Sequence, residues 1–291
     1  MKKVTKAIIP CAGLGTRFLP ETKAVPKEML PIVDTPGLQY IIEEAVEAGI
    51  TDILIVTNKN KKCIEDHFDV SIELERTLEK EGKDELLALA RKSSSLANIH
   101  YIRQGEPKGL AHAVSFAKAF ACGEPIALML GDDMVYTEKG KPTCIGQLLD
   151  CFESTGIPTI ATMKVAPEEV KKYGNIAISK SEGKKHYVSN IVEKPKDGEK
   201  LSDNVIIGRY VLPSNIFDVL ESTPPTSSGE VYLTDALITL ANTCGLIGYE
   251  FDGIRYDTGD KLGYLQANVE YALRDEKLGE KFREYLEELL K

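Results

Sequence analysis

The sequence predicts an α/β fold: a mixed, mostly parallel sheet flanked by helices, with antiparallel additions and a helical C-terminal end. Three observations predict it. Through the first half, short apolar runs alternate with stretches of helical period, the rhythm of strand–helix–strand units. From about residue 158, strand-like runs follow one another with little helix between them. The chain then turns helical, first across residues 229–242 and again near its end.

The elements follow in order. "KAIIPCA" (6–12) is a short apolar run that ends in a glycine-rich loop. From Leu38, apolar residues recur at Ile41, Ile42, Ala45 and Val46, one face of a helix, and Gly49 stands where that helix should stop. "DILIVT" (52–57) and "PIALMLGDD" (125–133) read as strands buried on both faces. Between them, residues 71–92 mix both charge signs with leucines and read as solvated helices. "IHYIRQ" (99–104) is a third strand and "GLAHAVSFAKAFA" (109–121) the helix after it. "TIATMKV", "NIAISK", "HYVSNIVEK" and "VIIGRYVL" supply the antiparallel strands. "GEVYLTDALITLAN" places Leu233, Leu237, Leu240 and Ala241 on one helical face. Leu278, Phe282, Tyr285, Leu286 and Leu289 form a last stripe, to be packed on its own subunit or on a neighbour, with core packing the expected case.

Bulk properties narrow the function. A chain of 291 residues, 43% apolar and 28% charged, has the composition of an ordinary globular protein. Its net charge of −9 argues against nucleic acid and membrane surfaces as partners. Yet residues 1–27 carry Lys2, Lys3, Lys6, Arg17, Lys23 and Lys27 against one acid, Glu21. A basic pocket in an acidic protein suits a small polyanion. The six cysteines include no C-x-x-C pair, and "MKKVTKAIIPCAG" lacks the apolar region of a signal peptide, so a reduced, cytoplasmic setting is expected. No apolar run approaches the roughly 20 residues that span a bilayer.

The loop "AGLGTR" (12–17) carries the chemistry. A nucleotide-triphosphatase loop needs G-x-x-x-x-G-K-[ST], and no Gly-Lys-Ser/Thr occurs. A dinucleotide loop needs G-x-G-x-x-G, but Phe18 stands where the third glycine belongs, and "FLPETKAVPKEMLP" has three prolines where a helix should begin. What remains is G-x-G-T-R after a first strand. Its glycines leave backbone N–H groups open to an anion, Thr16 adds a hydroxyl, and Arg17 adds a fork that grips phosphate at two points. Lys27, expected in an extended stretch between Pro26 and Pro31, is a further fixed positive charge. Cys11 beside the loop has no local base and reads as a small buried residue.

"CAGLGTRFLPETKAVPKEMLPIVDTP" resembles the signature of the sugar-1-phosphate nucleotidyltransferases, and "TKAVPKEMLP" follows in the manner of the uridylyltransferases among them. The likeness runs through "RQGEPKGLAHAV", "LGDDM", "YGNIAI", "VEKP", "IIGRYVL", "GEVYLTDAL" and "RYDTGDKLGYL", in order and over nearly the whole chain. It departs from the family at Ala12-Gly13 in place of a Gly-Gly pair, at Ala111 where many members have Gly, and at Tyr232 where Gln is usual.

The resemblance implies a Rossmann-like single domain over 1–291. Residues 1–157 would mainly bind nucleotide, 158–258 sugar phosphate, and 259–291 form C-terminal helices. It implies transfer of a uridylyl group from UTP to glucose 1-phosphate, giving UDP-glucose and pyrophosphate, with Mg²⁺ as cofactor. The nearest alternative is the same chemistry on another base or sugar, such as dTTP. By resemblance, Arg17, Lys27 and Lys194 are the catalytic cations. Ala12, Gly13, Gly15, Thr16, Gln104 and Gly109 bind the nucleotide, with Gln104 reading the pyrimidine edge. Gly174, Glu193 and Gly208 bind the sugar, and Asp132 and Asp257 hold the metal. His112 reads as structural, and Asp133 as a cap or turn former. A homo-oligomer is the family expectation. A non-catalytic sensor on the same fold would have lost Arg17 or the metal carboxylates, and all are present.

Overall fold

The structure is a computed structural model and describes residues 3–106, 108–226 and 229–291. Lys2 of the basic stretch and Pro107 of "RQGEPKGLAHAV" lie outside the described residues. The first half supplies β1 (Lys6–Pro10), β2 (Pro31–Ile32), β3 (Thr35–Pro36), β4 (Asp52–Thr57), β5 (Asn98–Arg103), β6 (Ile126–Met129) and β7 (Asp133–Tyr136). The second adds β8 (Thr159–Lys164), β9 (Gly174–Glu182), β10 (Lys185–Glu193), β11 (Asn204–Leu212), β12 (Ile247–Glu250) and β13 (Ile254–Asp257).

Among the described residues, nine strands form one sheet in the order β5-β4-β1-β6-β11-β8-β12-β10-β9, and β13 pairs separately with β7. β5, β4, β1 and β6 are parallel neighbours, and β12 is parallel to β8. β11 runs antiparallel to β6, β8 and β9, and β10 runs antiparallel to β12 and β9. Thus β10 and β11 oppose the other seven strands, and the sheet is mixed but mostly parallel in direction.

Helices cover both faces because the strands are apolar on both. Ala7 and Ile9 of β1 face one core with Leu38, Ile41 and Ile42 of the helix Gly37–Glu47. Ile8, between them, faces a second core with Val114, Leu237 and Leu240, as the period of two along a strand requires. The helix predicted from Leu38 ends at Glu47, with Gly49 two residues on at φ 89°. The region 71–92 forms the helices Ile72–Lys80 and Asp84–Ser94, which bury Leu78 and Leu87.

Three expectations need correction. The helix over 109–121 is two pieces, Leu110–Ser115 and Lys118–Ala121. The Ser115 hydroxyl donates back to the His112 carbonyl, and the Ala117 N–H bonds three residues back to Val114, which tightens the turn between them. The strand over 125–133 stops at Met129: the Leu130 N–H still bonds to the Gly208 carbonyl of β11, the chain then turns, with the Asp133 N–H reaching back to the Leu130 carbonyl, and pairing resumes at Asp133 with β13. The C-terminal stripe lies on the helix Gly279–Leu289, but Leu278, Tyr285 and Leu289 are 47%, 57% and 64% exposed and are not core.

The chain leaves β1 for β4 and β5 on one side, then returns to lay β6 on the other. Open α/β sheets gather ligands in the crevice beyond the strand ends at such a reversal. Here the two ends that flank it lead into the 11–17 loop after β1 and the 130–132 turn after β6.

Candidate active site

Two chambers open at this crevice. One, of about 300 Å³, is lined by Ala12, Gly13, Lys27, Gln104 and Gly109. The other, of about 400 Å³, is lined by Arg17, Gly174, Glu193, Lys194, Gly208 and Asp257. They share Leu110, Leu130 and Asp132, so Asp132 stands on the boundary between them. Gly15 and Thr16 line neither chamber. A larger cavity of about 680 Å³ lies past the far end of the β7–β13 ribbon and holds none of the predicted site residues.

The loop turns at Gly15, whose φ of 66° is the left-handed conformation glycine adopts cheaply. A Cβ there would press on the Thr22 and Lys27 side chains, at 3.2 and 3.3 Å. Arg17 follows on a 3₁₀ turn and donates from Nη1 to the Gly259 carbonyl at 3.3 Å. Lys27 is not in an extended stretch as expected. It opens the 3₁₀ turn Lys27–Met29, which Pro26 starts with its fixed φ, and its ammonium is hydrogen-bonded to the Asp132 carboxylate.

Asp132 and Asp257 converge on the 257–259 turn. The Thr258 hydroxyl donates to the Asp132 carbonyl at 2.9 Å, and the Gly259 N–H donates to Asp257 Oδ1 at 3.1 Å. Asp260 then caps the helix Lys261–Arg274, accepting from Leu262 N at 3.0 Å. A Cβ built on Gly259 would lie 2.6 Å from Asp132 Oδ2 and 3.2 Å from Asp257 Oδ1. The missing side chain thus leaves two carboxylates facing one point, a fit for a divalent cation. Among the described residues no third His, Cys, Asp or Glu joins them, so other ligands must come from substrate or water.

Their electrostatics differ. Burial pushes the Asp132 carboxyl up, but Lys27 outweighs it and holds the group below its usual value. Burial raises Asp257, and the Arg255 guanidinium only partly offsets that. An Asp257 whose charged form is costly gains from a cation beside it.

In the first chamber, Gln104 directly follows β5 and is buried; its side-chain amide meets His112 Nδ1 at 2.7 Å. That contact supports the structural reading of His112. Gly109, at φ 90°, leaves room for the Glu230 side chain, whose Oε1 would lie 2.3 Å from a Cβ there. Cys11 is buried, and burial raises its thiol well above the usual range, in keeping with a small core residue.

In the second chamber, Glu193 ends β10, and Lys194 turns away with φ 47°, uncommon outside glycine. The Lys194 side chain is 66% exposed, its Nζ 3.8 Å from Glu193 Oε1. So loose a pairing leaves the ammonium available to a ligand. A Cβ on Gly174 would meet Glu193 Oε2 at 3.3 Å, whereas one on Gly208 would meet Leu130 Cβ at 2.8 Å. Gly208 therefore serves the approach of β11 to the 130–133 turn. Tyr232, ambiguous in sequence, lines this chamber.

Two buried ion pairs support the site that sequence reasoning missed. Lys61 Nζ donates to both oxygens of Glu28, at 2.9 and 2.7 Å, with both side chains at most 5% exposed. Asp133, read as a cap or turn former, is instead buried against Arg255 Nε at 2.7 Å. Lys61 sits in "NKNKK", which looks like a solvated lysine run; no local signal marks one of its lysines as buried.

A family model described as nucleotidyl transferase matches residues 6–274. The UTP–glucose-1-phosphate uridylyltransferase of Bacillus subtilis (strain 168) is 53% identical over 290 residues, covering 100% of this chain and 98% of that protein. The enzyme of the same name from Staphylococcus haemolyticus is 48% identical, covering 99% of each. The solved structure of a UTP-bound UGPase from Acinetobacter baumannii superposes with a TM-score of 0.91 at 39% identity, over 98% of this chain and 99% of that one. On this match to the family model and to full-length relatives, the chain belongs to the nucleotidyl transferase family.

Proposed function

We propose that the chain transfers a uridylyl group from UTP to glucose 1-phosphate, releasing pyrophosphate and UDP-glucose. The observation that carries this reading is the pair of chambers meeting at Asp132, one lined by the glycine loop and Gln104, the other by Glu193 and Lys194. Their neighbourhood suits a nucleotide and a sugar phosphate whose reacting phosphates meet at the boundary. Residues 1–157 then serve mainly the nucleotide, 158–258 the sugar phosphate, and 259–291 close the fold.

The attacking oxygen of glucose 1-phosphate is already anionic, so no general base is needed. The α-phosphorus–oxygen bond forms on one side as the bond to pyrophosphate breaks on the other. The residues position and neutralise. Arg17 and Lys27 take the growing negative charge of the departing pyrophosphate, and Lys194 holds the sugar phosphate in line. Glu193 accepts hydrogen bonds from sugar hydroxyls; burial raises its carboxyl, partly offset by Lys194. Asp132 and Asp257 would hold Mg²⁺, which supplies charge neutralisation to the phosphates when bound.

Pyrophosphate release with UTP, dTTP, ATP and GTP against glucose, galactose and mannose 1-phosphates tests the reading. A strong preference for dTTP would overturn the choice of base. Lys194→Ala is expected to raise KM for glucose 1-phosphate by the worth of a charge-assisted contact, about 1.5–3 kcal/mol, with KM for UTP nearly unchanged. An equal rise in both would show that Lys194 is misplaced in the mechanism.

Among the described residues no helix is long and apolar enough to cross a membrane. The homo-oligomer belongs to the same proposal, and the exposed stripe on Gly279–Leu289 is its candidate interface. Sedimentation of the chain with and without residues 275–291 checks it.

A further inference from the structure

Asp133 and Asp257 stand directly opposite each other on the antiparallel ribbon of β7 and β13. Like charges across a strand pair repel, and both lie in a partly desolvated wall of the second chamber. What sits between them is the guanidinium of Arg255. Its Nε donates to Asp133 Oδ1 at 2.7 Å, and its Nη2 lies 3.4 Å from Asp257 Oδ2. Its third nitrogen, Nη1, donates to the Tyr173 hydroxyl at 2.9 Å, and the group lies 5.2 Å from that ring's centroid. The side chain is only 12% exposed, so all three arms of the fork are committed within the protein.

Each partner leads to a part of the site. Asp257 is one of the two carboxylates at the Gly259 cradle. Asp133 accepts the Gly208 N–H through Oδ2 at 2.7 Å, fixing β11 at the chamber wall. Tyr173 precedes Gly174, and its carbonyl takes the Lys194 N–H at 3.0 Å. One planar cation thus ties the candidate metal carboxylate to the two backbone segments that shape the sugar-phosphate chamber.

We infer that Arg255, clamped by Asp133, is a positioning residue that sets Asp257 for the cation and Tyr173–Gly174 for the sugar phosphate together. The inference rests on the proposed roles of Asp257 and the second chamber. Lysine cannot substitute, because a point charge on a flexible stem reaches one partner where the fork reaches three.

The test compares the full-length parent with Arg255→Lys, Asp133→Asn and Asp257→Asn. Mn²⁺ binding is measured by EPR with saturating UDP-glucose, alongside KM for each substrate and the thermal midpoint. Arg255→Lys is expected to weaken Mn²⁺ binding about ten-fold and to raise KM for glucose 1-phosphate, with KM for UTP within about two-fold of the parent. Asp133→Asn keeps an oxygen for the Gly208 N–H but frees the guanidinium, and should shift both quantities in the same direction. It is the deciding variant if Arg255→Lys fails to fold. Parent-like Mn²⁺ binding in both variants, with Asp257→Asn defective, overturns the inference and leaves the metal reading intact. Parent-like Mn²⁺ binding in Asp257→Asn overturns both.

Discussion

Asp132→Asn is expected to lower kcat by about a thousand-fold, equivalent to about 4 kcal/mol of transition-state stabilisation, while the protein stays folded. The size follows from position. Asp132 is on the boundary of the two chambers, faces the same point as Asp257, and is hydrogen-bonded to Lys27. Asparagine has the same shape and keeps an oxygen for Lys27, so packing around the 130–132 turn survives; the charge does not. A carboxylate that helps hold a cation against developing phosphate charge acts mainly in the transition state, so the loss belongs in kcat.

The same substitution carries a pH signature. The folded-state value of Asp132 lies below its ordinary one, because Lys27 outweighs the burial that pushes it up. Such a group contributes stability above its unfolded pKa, and that contribution disappears as pH falls through the folded value. Asp132→Asn should therefore be less stable than the parent at neutral pH, and the two should draw together as pH falls from about 4 through the lower folded value. Urea midpoints across that range, with steady-state kinetics at pH 7, measure both effects. A kcat within ten-fold of the parent would remove Asp132 from the reaction.

What the sequence disclosed and what it hid divide along a physical line. The loop, Asp132 and the "VEKP" corner are marked by glycine and proline, whose backbone restrictions are visible locally. The strands of β1, β4 and β11 are marked by apolar runs that only burial explains. Charged pairs closed inside the fold carry no such mark. Arg255 and Asp133 are 122 residues apart, Lys61 and Glu28 are 33 apart, and Arg209 and Glu44 are 165 apart. Pattern reading assigns charge to solvent, and only the tertiary fold brings these partners together. The end of β6 was hidden for a different reason: "LMLGDDMVY" stays apolar enough to look continuous, while a turn closed by the Asp133 N–H on the Leu130 carbonyl breaks it. The C-terminal stripe failed the other way. Its period is helical, but periodicity does not say whether a partner surface lies within the same chain.

The Arg209–Glu44 pair gives the largest expected effect on stability. Among the described residues, Arg209 is the largest side chain with no exposure at all. Its Nε donates to the two Glu44 oxygens at 3.0 and 3.1 Å, its Nη2 to Oε2 at 2.6 Å, and its Nη1 to the Gly208 carbonyl at 2.9 Å. Glu44 Oε1 also accepts the Ile145 N–H at 3.0 Å, at the start of the helix Cys144–Thr155. The pair therefore joins the helix Gly37–Glu47, that second helix and β11. Arg209→Met fills most of the volume but leaves the Glu44 carboxyl without its partner in an apolar interior, which should cost about 3–5 kcal/mol. A domain has only about 5–15 kcal/mol to lose. Glu44→Gln added to Arg209→Met removes the stranded acid and keeps an acceptor for Ile145, so the double variant should be more stable than Arg209→Met alone. Urea denaturation of the four proteins gives the cycle and its coupling energy. A double variant no more stable than Arg209→Met would mean that the loss comes from packing around the arginine. Recovery of stability would show that the fold needs Arg209 chiefly because Glu44 is there.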